Sequence, residues 1–403
     1  MNRLLLNIEL RLAKLLVMSS SILWYPIISS GIKLHHILII LLAFLGTISG
    51  NLIKHFIYSL HKTPFFILFI TFWFCTLLVY TAIYDSSWDF IKVVSFYLMI
   101  IISNYAIYIL ISREGAESIL KLLNQSLIIF LFVFIFLTGL APFEVFEIIY
   151  KAVSNADPKI IIFGFFGNAP IFLELSEDGL DGLRHTISFY LVLICLCNFI
   201  FSKKSLHTFI GIFIIFLILV LQSRSAWLSL GLVLPFIFIN KIPYVKFSIF
   251  KWAGLFLIIV PTFLASLVKI IPLVFNRLFE ATDSYDGRLL RLSEAWNLLA
   301  QFNFIPATNQ RDFSSSHMFI FDSYFSGGML GFISAFLIIC SIFSMVFTKK
   351  LILVRKFPLP YLLVIPILVR FFTAGNGLPG IGAVLMFSVA YFYRYFSPRH
   401  AND

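Results

Sequence analysis

The chain has 403 residues, 60% of them hydrophobic and only 12% charged, with a formal net charge of +11 and a mean hydropathy of +0.99. A water-soluble domain has no place for so much apolar surface, whereas repeated runs of about 20 apolar residues suit a helix that crosses the ~30 Å hydrocarbon core of a bilayer. The composition excludes an ordinary soluble fold, and it refers the surplus of cations to membrane topology rather than to nucleic acid.

The expected fold is all-α, a polytopic helical bundle forming a single membrane domain over residues 1–403. The first apolar run follows Arg3, Arg11 and Lys14 directly and has no small-residue cleavage site, so it reads as a retained span and not a cleaved signal. Twelve spans are expected, at 13–30, 35–53, 64–83, 91–111, 122–140, 185–202, 205–222, 225–240, 252–272, 317–347, 358–374 and 378–395. With both termini inside, the inner segments hold 18 of the 30 cations against four acids, a net +14; the outer segments hold 12 cations and 15 acids, a net −3. That asymmetry follows the positive-inside rule, and an error of one span would scramble it.

Between the fourth and fifth spans, Gly115–Gln125 has mixed polarity and reads as a segment on the inner interface. Cys75, Cys195, Cys197 and Cys340 all lie within apolar runs, which offers neither a disulfide framework nor metal-ligand spacing. Two long stretches are expected outside: 141–184, with Glu174, Glu177, Asp178 and Asp181 ahead of Arg184-His185, and 273–316. Long connections in a compact protein tend to carry function.

Three places combine cations or a histidine with the outer boundary. Gln222-Ser223-Arg224-Ser225 forms the turn between the seventh and eighth spans. An arginine there has two readings, a snorkelling interface anchor or an anion contact, since burying it in hydrocarbon costs roughly 3 kcal/mol. Gly287–Ala300 reads as an amphipathic helix, capped by Asp283, Ser284 or Asp286, with Arg288 and Arg291 on one face and Leu289, Leu292, Trp296 and Leu299 on the apolar face. Its guanidinium groups suit bidentate phosphate binding, although Arg291 can equally pair with Glu294 on a solvated face. Ser314-Ser315-Ser316-His317 opens the tenth span. The serines are natural helix caps. His317 is either a capping or headgroup-contacting residue or a neutral imidazole able to take a proton from a hydroxyl.

Gly328-Met329-Leu330-Gly331 follows, where glycines permit close helix packing. Asp322 lies one turn into the same span and can orient an arginine or histidine, or pair with Arg370 near the outer end of the eleventh span. Tyr324 reads as a packing residue, and Lys269 as snorkelling.

These three segments resemble the O-antigen ligase and O-antigen polymerase superfamily of bacterial envelope glycosyltransferases. QSRSAWLSL (222–230) looks like the Ser-Arg turn of that family, GRLLRLSEAWNLLAQFNFIP (287–306) like its arginine-bearing periplasmic helix, and SHMFIFDSYFSGGMLGF (316–332) like its histidine motif. Together they cover about 50 residues in the family's order. Met318 departs from the Asn, Ser or Gln usual after the histidine, and Pro306-Ala307-Thr308 lacks the expected glycine.

The resemblance implies a multi-pass enzyme of the bacterial inner membrane, N-in and C-in, with its active site on the periplasmic side. The implied donor is an undecaprenyl-diphosphate-linked oligosaccharide. Arg224, Arg288 and Arg291 would hold the diphosphate, Arg288 also acting in catalysis, and His317 would activate the acceptor hydroxyl. Asp322 and Arg370 would give support, with no metal and no cofactor. The acceptor is the glycan of another lipid-linked repeat in a polymerase, which then works with a chain-length regulator, or lipid A–core in a ligase. Two sizeable outer loops fit a polymerase better. A lipid-linked oligosaccharide flippase is the reading from another class. It calls for charge along a mid-membrane cavity, whereas Lys269, Asp322 and Arg370 all lie towards the outer ends of spans.

Overall fold

The computed structural model describes residues 2–20, 34–62, 71, 87–138, 142–154, 177–201, 204–221, 223–241, 293–294, 296–304, 319–346, 359–373 and 388–389. Every element among them is helical: α1 (Asn2–Ser19), α2 (Leu34–Ile48), α3 (Asn51–Lys62), α4 (Ser87–Glu114), α5 (Ala116–Thr138), α6 (Pro142–Ser154), α7 (Glu177–Phe201), α8 (Ser205–Val220), α9 (Arg224–Lys241), α10 (Phe319–Val346), a 3-10 segment Leu359–Leu363 and α11 (Val364–Thr373). The all-α expectation holds for these residues. None of these helices alone is both long and apolar enough to cross a membrane; α2 and residues 51–58 of α3 reach that length and composition together, bent by 92°. The expected span 252–272, all of 64–83 except residue 71, and most of 378–395 lie outside the described residues. The chain forms two compact units, residues 1–130 with 287–403, and residues 131–286.

In the first unit α1, α2 and α4 pack on one another. Ala13, Leu16 and Val17 of α1, Leu38, Ile39 and Leu42 of α2, and Ile102, Tyr105, Ala106 and Ile109 of α4 are all buried. At Gly46 the two backbones come close, for a Cβ there would stand 2.8 Å from the Tyr105 ring. α1 begins well before residue 13, and a Lys14–Glu114 ion pair ties it to the end of α4.

Two glycines set boundaries that hydrophobicity alone misplaces. The expected second span, 35–53, ends at Ile48, because Gly50 (φ 70°) turns the chain into α3. A left-handed residue that ends a helix is most often glycine, which has no Cβ to clash. Gly115 (φ 80°) likewise separates α4 from α5. The mixed-polarity stretch after it forms the first turns of α5, which runs unbroken from Ala116 to Thr138.

At the α3–α4 contact His55 is buried, and its Nε2–H donates to Asn104 Oδ1 at 3.0 Å. Asn104 in turn donates through Nδ2 to Ser388 Oγ at 2.7 Å, which fixes its amide oxygen as the acceptor.

In the second unit α8 and α9 both pack on α7. Gly211 admits the Phe199 ring, 2.7 Å from where a Cβ would lie, and Cys195 Sγ–H donates to the Gly211 carbonyl at 3.5 Å. Cys195, Cys197 and Cys340 are free thiols. α6 was not expected from the sequence. Pro142 at its first position, Glu144 in the first turn and Lys151 in the last are ordinary helix signals. Lys151 also pairs with Glu147 at 2.6 Å.

Burial holds the His55 imidazole neutral, pushing its pKa down to about 4 from 6.5. The unfolded chain therefore binds a proton between pH 6.5 and about 4 that the folded chain refuses. Stability is undiminished above 6.5 and falls as the pH drops through that window, by about 2 kcal/mol at pH 5. Thermal unfolding of the detergent-solubilised protein at pH 7.5 and pH 5 checks this: His55→Gln, which keeps an amide donor but does not titrate, should lose less melting temperature on acidification than the wild type.

Candidate functional site

The candidate site is built around a break in α10. At Gly328 the backbone leaves the helix, with φ 60° and ψ −151°. Such values are open essentially to glycine alone. The loop that ends the arginine-bearing segment fills the break. A Cβ on Gly328 would stand 2.5 Å from the Phe304 carbonyl oxygen and 2.9 Å from that of Asn303. Met329 N–H, deprived of its helical acceptor, donates instead to Asn303 O at 2.9 Å.

Tyr324, one turn earlier and fully buried, makes the second attachment. Its hydroxyl donates to Leu298 O at 2.9 Å and accepts from Asn303 N–H at 3.2 Å. Leu298, Leu299 and Met329 pack against Phe321 and Tyr324, and Trp296 meets Phe321 edge-on at 6.3 Å.

Residues 296–299 are helical. Ala300 N–H to Trp296 O, Gln301 N–H to Leu298 O and Phe302 N–H to Leu299 O close the last turn. Phe302 then takes the left-handed conformation, with φ 51°. Glycine is the usual residue there, and a side chain costs about 1–2 kcal/mol. The face that docks is carried by Leu298 and Leu299, while Trp296 remains 63% exposed.

The start of α10 is fixed by α11. Phe319 stacks on Phe371 with ring centroids 4.4 Å apart. The start of α10, which carries Asp322, thus meets the end of α11, which carries Arg370 in its last turn. Arg288, Arg291 and His317 lie outside the described residues. Arg291 is two residues from Ser293, and His317 is two residues from Phe319, so the segments bearing them lead directly into the two clamped pieces.

In the second unit Arg224 is the first residue of α9. The turn before it is tightly held: Ser223 O accepts from Trp227 N–H at 3.0 Å, the Ser223 and Ser225 hydroxyls pair at 3.3 Å, and Ser229 Oγ donates to Ser225 O at 2.7 Å. Trp227 Nε1–H reaches back to Ile218 O of α8 at 3.1 Å. A cation at the positive end of a helix dipole works against stability, whereas an anion there gains from the dipole and from the free N–H groups.

Sequence reasoning missed Tyr324, Asn303 and Gly328 as the attachment points. The Gly328-Met329-Leu330-Gly331 run was the available signal, although it was read as helix packing. No protein-family model, curated protein or solved structure matches this chain.

The clamp makes opposite predictions at its two strained residues. Gly328→Ala forces a side chain into the Phe304 carbonyl and should destabilise the protein by about 3 kcal/mol or more. Phe302→Gly relieves a left-handed phenylalanine that is 65% exposed and should stabilise by up to about 1 kcal/mol. Tyr324→Phe keeps the ring but strands two backbone groups and should cost about 1–3 kcal/mol. Chemical denaturation of the purified variants reads all three.

Proposed function

We propose that the protein is a polytopic membrane glycosyltransferase, an O-antigen or surface-polysaccharide polymerase. On this reading it transfers an undecaprenyl-diphosphate-linked glycan to another lipid-linked repeat at the outer face of the inner membrane. The observation that carries the proposal is the clamp. The loop after Arg288 and Arg291 and the helix after His317 are bolted together through Tyr324, Asn303 and Gly328. An enzyme that joins a phosphate-binding helix to a base needs such a fixed distance, because misplacement of a catalytic group by about 1 Å costs on the order of 100-fold.

The proposed topology has twelve spans with both termini inside. The charge split of +14 to −3 supports it. So do the apolar stripes exposed on α2 (Ile37, Ile40, Leu41, Phe44, Ile48) and on α8 and α9 (Phe209, Phe213, Leu228, Phe236), surfaces that suit lipid. The Lys14–Glu114 pair joins two residues assigned to the same inner face. Cysteines introduced at Ser176 and Ser314 should react with an impermeant thiol reagent in intact cells; protection of both would overturn the topology.

The reaction follows from the groups. The acceptor hydroxyl oxygen attacks the anomeric carbon, the bond from that carbon to the diphosphate oxygen breaks, and the diphosphate leaves with the electron pair. Arg288 and Arg291 stabilise that leaving group and His317 takes the hydroxyl proton, with Arg224 a further candidate for anion binding. A ligase would use the same groups on lipid A–core. The first outer stretch favours the polymerase, since it carries a formed helix, α6, and is not a short link.

The banding of lipopolysaccharide from a deletion strain tests the reading. A core bearing one repeat means polymerase, bare core with accumulated lipid-linked polymer means ligase, and loss of outer-face lipid-linked glycan means flippase. His317→Ala should lose about 10²–10⁴-fold in rate. His317→Gln should fail equally, because an amide does not accept the proton. A glutamine variant with wild-type chain lengths would remove His317 from the mechanism. Arg224→Lys should reach the membrane at normal level and lose most activity, because lysine keeps charge but not the two-pronged contact.

A further inference from the structure

The clamped loop carries three aromatic side chains on its outside. Trp296, Phe302 and Phe304 are 63%, 65% and 70% exposed. Phe302 holds a left-handed conformation, φ 51°, that glycine would adopt without strain. The strained residue thus keeps its ring on the surface and not in the core. The rings are also held in place, because Met329 N–H donates to Asn303 O at 2.9 Å and the Tyr324 hydroxyl bonds both Leu298 O and Asn303 N–H.

α10 changes character where the loop docks. Ahead of Gly328, Phe319, Phe321, Ser323 and Tyr324 are buried, and this part holds Asp322, the one charged residue of the helix. Beyond Gly328 the helix has no charged residue. Ile333 and Phe336, three apart and therefore on one face, are exposed there. The apolar outside of α10 begins within about two turns of the loop.

The loop is neither a hydrocarbon segment nor an ordinary solvated one. Its sequence alternates amide and ring, Gln301-Phe302-Asn303-Phe304, and residues 296–304 include no charge. Gln301 is exposed and accepts from the Asn303 side-chain amide at 3.5 Å. Irregular backbone with exposed amides is not stable against acyl chains, where no water satisfies it. Exposed rings among amides suit the level of the headgroups, where amphipathic aromatics collect in membrane proteins.

We propose that Trp296, Phe302 and Phe304 seat this loop at the boundary between headgroups and acyl chains of the bilayer, so that hydrocarbon contact with α10 begins at Gly328 and not at His317. The proposal rests on the membrane reading of the chain and not on glycan transfer.

The test is tryptophan fluorescence of the full-length protein in nanodiscs. Their phospholipids carry bromine either just below the headgroup or near the end of the acyl chain, and acrylamide quenches from the water. The chain has six tryptophans, Trp24, Trp73, Trp88, Trp227, Trp252 and Trp296, so the difference between wild type and Trp296→Phe reads Trp296. Its emission should fall strongly with the shallow bromines and weakly with the deep ones. Phe302→Trp and Phe304→Trp, each made in the Trp296→Phe background, should add emission with the same depth profile, and either variant suffices if the other does not fold. Emission quenched by acrylamide and untouched by both brominated lipids would put the rings in water, as a face for a soluble glycan or a protein, and overturn the proposal. Stronger quenching by the deep bromines would overturn it as well. In both cases Trp24, Trp73 and Trp252, which belong to expected spans, still respond to brominated lipid. If no tryptophan responds to it, the membrane reading itself falls, and the proposal with it.

Discussion

One backbone hydrogen bond organises the candidate site. A helix that continued through Gly328 would pair Met329 N–H with the carbonyl four residues back. The φ of 60° at Gly328 breaks that pairing, and Asn303 O takes over the amide at 2.9 Å. Away from water such a group left unpaired costs several kcal/mol. The break in α10 therefore depends on the loop, and the loop depends on the break for its one close approach. Tyr324 adds a second tie with both a donor and an acceptor, so the loop is fixed in direction as well as in depth. Strain at Phe302 is tolerated because these contacts over-determine the turn.

The Ser-Arg turn of the second unit shows the same exchange of stability for placement. Arg224 opens α9, where the helix dipole repels a cation by a few tenths of a kcal/mol. Nothing in helix formation asks for it there. The Ser223 and Ser225 hydroxyls and the Trp227 indole, which reaches to Ile218, hold the turn.

The fold class was legible because it rests on composition, and composition is a property of the whole chain. Helix existence was legible wherever an apolar run was long, as at 91–111 and 205–222, where α4 and α8 lie. What escaped were the points at which one glycine overrides the run. Gly50 sits in a stretch whose hydrophobicity gives no warning, and its left-handed φ ends the helix there; Gly115 lies in the mixed-polarity stretch already expected between two spans, and its φ sets the exact boundary. α6 escaped for the reverse reason, since its aromatic stripe, Phe143, Phe146 and Tyr150, is exposed and so does not mark a core face.

The arginines and histidine of the candidate site stood out because a charged or titratable group is conspicuous in an apolar chain. Their support did not. Tyr324 bonds a carbonyl 26 residues away, and no local pattern encodes a contact of that separation. A buried tyrosine in an apolar helix reads as packing until its hydroxyl partner is known, because only the partner distinguishes a tie from a filler. Glu9 makes the same point from the acidic side. In the sequence it is one more charge in an amphipathic N-terminal helix, offset on paper by Arg3 and Arg11. In the fold it is fully buried, and its donors come from positions 42 and 96 residues away. Sequence therefore exposes charged groups at a polar–apolar boundary, whereas groups that tie distant segments together become visible only in the fold.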